Sequence, residues 1–157
     1  FIRAALDMAG TPWDEDLVLA RFTDLDLAPS SLDKPVRAFS KGMTQKLGLA
    51  ACFLTNRQLL VLDEPMSGLD PSARARVKTL LRDLKVAGKA LLFTSHSLAD
   101  IEEICDHMAV LHRGSIAFRG SPHEMLVRYA ETTLERAFLK CIESSTHVGQ
   151  TEPAVSR

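Results

Sequence analysis

From Ser40 onward the apolar positions switch repeatedly between a helical repeat and short unbroken runs. Met43, Leu47, Ala50 and Leu54 recur at three- and four-residue spacing, which predicts a helix with Ser40 as its N-cap. "QLLVL" (58–62) is too short for a helix and reads as a strand covered on both faces. Asp70 and Pro71 then form a cap and a first helical position, and Val77, Leu80, Leu81 and Leu84 make a buried stripe that Gly88 terminates. "ALLFTS" (90–95) is a second strand. Ser97 caps a further helix with Asp100 in capping-box position and Leu98, Ile101 and Cys105 on its inner face. "MAVLH" and "SIAFRG", joined through "RG", predict a hairpin. A helix starts behind Ser121-Pro122, and another spans Thr133 to Ile142 with Leu134, Phe138 and Cys141 aligned.

Upstream of Ser40, residues 1–38 read as helices with loops. Asp14 to Leu25 has acids in its first turn and Val18, Phe22 and Leu25 at helical spacing. The Pro/Ser-rich "LAPSSLDKP" (27–35) is a loop. Residues 143–157 are expected to form a disordered tail. Strand, helix, strand, helix, strand is an α/β order with a parallel sheet, and such sheets place ligands outside the carboxyl ends of their strands. Asp63 and His96 follow the two apolar strands and are expected on one rim.

Composition narrows the partners. The 157 residues suffice for one domain with a core, and 46% hydrophobic and 25% charged residues are ordinary for a globular chain. A net charge of −1 offers no footprint for nucleic acid. No apolar run approaches the roughly 18 residues that span a bilayer, and no signal peptide is visible. Cys52, Cys105 and Cys141 lie far apart without metal-ligand spacing, as expected of small buried hydrophobes in a reducing compartment.

The chemistry concentrates in "LVLDEPMSGLDP" (60–71), where two carboxylates end an apolar strand. An isolated Asp-Glu pair commonly just caps a strand and faces water. Here Asp63 is placed to hold Mg²⁺ beside a nucleotide, and Glu64 to accept a proton from an attacking water. His96 could hydrogen-bond a terminal phosphate or a catalytic water, although a lone histidine is more often structural. "FSKGMTQKLGLA" (39–50) combines the Ser40 hydroxyl, the Lys41 charge and the close approach that Gly42 permits, at a helix N-terminus suited to an anion. Read alone, it is equally a plain cap with a solvated lysine.

Together these stretches resemble the nucleotide-binding domain of ATP-binding cassette (ABC) transporters. "LLVLDEP" (59–65) matches its Walker B strand and catalytic glutamate, "SGLD" (67–70) its D-loop, and "TSHS" (94–97) its switch-histidine loop. "FSKGM" (39–43) resembles the signature usually written LSGGQ, with Lys41 and Met43 at the second glycine and glutamine positions, a version familiar in exporter-type ATPases. The similarity runs over about residues 1–142. It implies an α/β fold: part of a P-loop NTPase (RecA-like) parallel sheet, the family's helical subdomain at about 1–55, the remaining core at 56–142, and a C-terminal hairpin and helix.

One departure is large. The P-loop pattern G-x-x-x-x-G-K-[ST] occurs nowhere, and the Q-loop is absent. The chain is therefore expected to be the C-terminal portion of such a domain, inactive alone, and to fold poorly or associate because its sheet lacks neighbours.

The resemblance implies ATP and Mg²⁺ as cofactors and a head-to-tail dimer of two such domains. Ser40, Lys41 and Gly42 would meet the γ-phosphate bound to the partner. Asp63 would position the metal, Glu64 the water, and His96 would sense the γ-phosphate. Asp70 would link the two sites across the dimer. A transmembrane permease subunit would be driven through the helical subdomain, from the cytoplasmic face of the membrane. The end "TTLERAFLK" (132–140) resembles ATPase subunits of bacterial exporters. Two other readings stand beside this one: a soluble ABC ATPase acting on ribosomes or DNA, and a non-catalytic module lending its signature helix to an intact partner.

Overall fold

A computed structural model describes the backbone of residues 1–148 and the side chains through Ser145. The chain divides into two compact units, Phe1–Ser95 and His96–Arg157. Hydrogen bonds from Asn56 to Thr11, from Arg57 to Ala9 and from Lys89 to Thr55 tie the helical and strand portions of the first unit together.

In the first unit, α1 (Ile2–Ala9) ends at Gly10, whose φ of 67° is a left-handed helix terminator. α2 (Glu15–Asp24) starts at Asp14, which accepts from the Leu17 N–H. A short 3₁₀ turn, Pro29–Ser31, interrupts the expected loop, and a second, Val36–Ala38, follows it. α3 (Lys41–Leu54) is capped by Ser40, as its sequence predicts, and α1 and α2 pack on it. Ile2, Leu6, Val18, Phe22, Leu25, Leu47 and Ala50 are buried in this part. The buried face of α3 is wider than the predicted stripe and includes Leu49, Ala51 and Phe53. It also includes Lys46, whose Nζ reaches the Asp26 carboxylate and carbonyl at 3.3 Å.

β1 (Leu59–Leu62) and β2 (Ala90–Phe93) pair in parallel, Leu59 opposite Ala90 and Leu62 opposite Phe93. α4 (Pro71–Val86) connects them and packs on β2, with Val77, Leu80, Leu81 and Leu84 buried as the spacing predicts. The strands are not covered on both faces. Leu59, Val61 and Leu92 are 57%, 67% and 62% exposed, while Leu60 and Leu62 are buried. Side chains alternate across a strand, so a helix on one side leaves every second residue of the apolar run bare.

The second unit holds α5 (Leu98–Ile104), the antiparallel hairpin β3 (Met108–His112) and β4 (Ser115–Gly120), α6 (Pro122–Tyr129) and α7 (Leu134–Val148). The hairpin turns at Arg113 and Gly114, both at positive φ, as a two-residue turn matched to strand twist requires. Its core is Val110, Phe118, Met125, Leu134, Ala137 and Cys141, with Leu98, Ile101 and Phe138 packed against it. On α5 the fully buried apolar residue is Ile104, whereas Cys105 is half-buried. α7 runs past the predicted end at Ile142, so residues 143–148, expected in a disordered tail, are helical. The remainder of that expected tail lies outside the described residues.

Candidate functional site

The site grows from the register of β1 and β2. Because the strands are parallel and aligned, their carboxyl ends coincide, and the Thr94 N–H donates to the Leu62 carbonyl one step beyond the ladder. Asp63, exposed, therefore emerges beside Thr94. The Thr94 hydroxyl donates to Asp63 Oδ1 at 2.5 Å and accepts from the Glu64 N–H at 2.9 Å. One hydroxyl thus holds both the Asp63 carboxylate and the backbone of Glu64. Sequence reasoning missed Thr94; the available signal was a hydroxyl residue directly after an apolar strand in "TSHS".

Glu64 has a φ of 47°, in the left-handed region. For a residue with a β-carbon such a conformation costs about 1–3 kcal/mol and persists only where neighbours over-determine it. They do so here. Its N–H is held by Thr94, and its carbonyl accepts from the Ser67 N–H at 3.0 Å and from Gln45 Nε2 at 3.2 Å. Gln45 also donates to the Pro65 carbonyl at 3.2 Å, and Pro65 is fully buried. The backbone therefore turns sharply directly after Asp63.

The turn brings the N-terminus of α3 alongside. A β-carbon on Gly42 would stand 3.6 Å from the Gly68 carbonyl, and one on Gly68 would stand 3.7 Å from Lys41 Cε. Gly68 itself has a φ of 71°. Ser40 accepts from the Met43 N–H at 3.2 Å, closing one orphan donor of α3. Ser40, Lys41 and Gly42 thus lie on the helix end that faces the turn after the acids. Asp70 ends the turn and caps α4, its Oδ1 accepting from the Ser72 and Ala73 N–H groups at 3.0 Å each. The bond from Ala73, reinforced by those from Ser72 and the charge of Lys46, holds the Asp70 carboxyl below its ordinary value. His96 is exposed and opens the second unit, two residues beyond Thr94 along the chain.

The donor set fits a hard, hydrated cation. Among the described residues no cluster of three or more His, Cys, Asp or Glu side chains could cage a metal. Asp63, exposed at the strand end, could supply one carboxylate ligand. Mg²⁺ typically takes only one or two carboxylates and fills its shell with phosphate oxygens and water.

A family model described as "AAA domain, putative AbiEii toxin, Type IV TA system" matches residues 26–100. An uncharacterized ABC transporter ATP-binding protein of Nostoc sp. (strain PCC 7120) is 45% identical over 93 residues, which are 59% of this chain and 28% of that protein. Nod factor export ATP-binding protein I of Ralstonia nicotianae is 40% identical over 94 residues, 60% of this chain and 29% of that protein. The chain thus spans less than a third of these relatives in the matched stretch. A solved structure described as "Structure of ATP binding subunit of ABC transporter" superposes with a TM-score of 0.77 at 26% identity, covering 89% of this chain and 61% of that one. Motif order, parallel sheet and acid-bearing turn agree with these findings: over the matched stretch the chain is similar to ABC transporter ATP-binding proteins.

Proposed function

We propose that this chain carries the Walker B, signature, D-loop and switch segments of an ATPase that powers an ABC exporter. The observation that carries the reading is the Thr94-bridged pair of Asp63 and Glu64 at coincident strand ends, with the Ser40–Gly42 helix end against the same turn. The names of the Nod factor export relatives support the exporter assignment. On this reading residues 1–55 form the helical subdomain that meets a transmembrane permease, and residues 56–142 belong to the catalytic core. Two such domains close head to tail at the cytoplasmic face of the membrane. Among the described residues no helix is long and apolar enough to cross a membrane.

Mg²⁺ held by Asp63 would supply positive charge against the negative charge that develops in phosphoryl transfer. Asp63 holds the cation's ligand position, oriented by Thr94. Glu64 accepts a proton from the attacking water. His96 donates to the γ-phosphate. Ser40, Lys41 and Gly42 present a hydroxyl, a charge and backbone N–H groups to the nucleotide of the partner domain. Asp70, at the end of the same turn, relays closure between the two sites. The isolated chain hydrolyses no ATP on this reading, because the phosphate cradle of a P-loop is not among its residues.

The test is Glu64→Gln in the complete protein. Turnover is expected to fall by about 10²- to 10⁴-fold, the usual contribution of a general base, while ATP binding persists. Undiminished turnover overturns the assignment.

A further inference from the structure

The signature-like helix and the acid-bearing turn are joined by one side chain. Gln45 lies on α3 a single turn beyond Ser40–Gly42, and its Nε2 donates to the carbonyls of both Glu64 and Pro65 at 3.2 Å. Those carbonyls belong to the two successive peptide groups that follow Glu64, a residue with a φ of 47°. A side-chain amide bonded to both holds the two peptide groups in one orientation relative to each other. An α-helix transmits displacement along its axis with little internal give, so a shift of the Ser40 end of α3 also shifts Gln45.

We propose that Gln45 is a positioning residue for Glu64, coupling the helix end that carries Ser40 and Gly42 to the orientation of the candidate base within the same chain. The inference rests on the ATPase reading above for its catalytic consequence, whereas the tie itself stands on the hydrogen bonds. In that reading Ser40 and Gly42 serve the nucleotide of the partner domain and Glu64 serves the chain's own. Gln45 then gives one chain a direct link from one composite site to the other. The link is separate from the Asp70 turn, and engagement of the helix end would set Glu64 for catalysis.

The test compares native Gln45 with Gln45→Met, which keeps volume and removes the donor, and Gln45→Lys, which restores a donor able to reach two carbonyls. Hydrogen exchange of the 157-residue chain is followed at the amides of Glu64, bonded to Thr94, and Ser67, bonded to the Glu64 carbonyl. Gln45→Met is expected to speed exchange at both about three- to tenfold, the effect of losing roughly one net hydrogen bond, while amides from Leu47 to Ala51 in α3 stay as they are. Gln45→Lys is expected to reverse most of the change. Unaltered exchange at Glu64 and Ser67 in Gln45→Met overturns the tie.

In the complete protein, Gln45→Met is expected to lower kcat with KM for ATP unchanged. If Glu64→Gln abolishes turnover but Gln45→Met leaves kcat intact, the coupling to catalysis is refuted and the ATPase reading stands. If exchange responds as expected but Glu64→Gln changes no turnover, the ATPase reading falls and the Gln45 tie survives.

Discussion

Thr94 shows how much one hydroxyl can organise. It donates to a carboxylate and accepts from the next residue's N–H, so removing it leaves Asp63 unoriented and the left-handed Glu64 less restrained. Thr94→Val is expected to cost about 1–2 kcal/mol, since a bond to a charged acceptor is worth more than a neutral one but this site is exposed. Thr94→Ser should recover most of it; urea denaturation of the three proteins checks this. Asp70 makes the pH-dependent counterpart. Its folded pKa is depressed below the ordinary 3.8, chiefly by the Ala73 N–H. Its contribution is therefore complete above about pH 4 and is lost as pH falls through the folded value. Asp70→Asn retains a capping oxygen but cannot titrate, so its stability is expected to fall less steeply on acidification, read from thermal melts across pH 2–5.

At the scale of elements, caps and turns decide where the periodic patterns stop. α6 begins with a complete capping box, the Glu124 carboxylate accepting from the Ser121 N–H at 2.6 Å and the Ser121 hydroxyl from the Glu124 N–H at 3.1 Å. Gly120, just before it, has no room for a side chain: a β-carbon would stand 2.7 Å from Glu124 Oε2 and 2.9 Å from Phe118 Cζ. Phe118 is a buried ring of the second unit's core. Gly120→Ala is expected to displace that ring or open the box, destabilising by about 1–3 kcal/mol, as overpacking does; calorimetry reads the shift. α7 shows the opposite error of sequence reading. The polar run from Glu143 suggests a tail, but Ser144 and Ser145 donate back to the carbonyls of Lys140 and Cys141 and stay within the helix.

For the whole molecule, the bare face of the β1–β2 sheet governs behaviour. Leu59, Val61 and Leu92 lie on it, with Val61 directly opposite Leu92. An exposed apolar strand face beside unpaired edges promotes association. Val61→Lys combined with Leu92→Glu places an opposite-charge pair across the strands and is expected to raise the monomeric fraction, measured by sedimentation velocity. A native chain already monomeric at tens of micromolar concentration would contradict the expectation.

Local chemistry made much of this protein legible in one dimension. Caps at Ser40, Asp70, Ser97 and Ser121, the helical stripe of α4, the hairpin and the acids closing "LLVL" depend on contacts within a few residues, which spacing records directly. Three features required the folded chain. The one-sided covering of β1 depends on which helices pack against it, information absent from an unbroken apolar run. The Thr94 bridge depends on strand register, which joins residues 31 positions apart. The Gln45 tie joins α3 to a strained turn 19 residues away, because packing, not sequence proximity, brings the amide to that carbonyl.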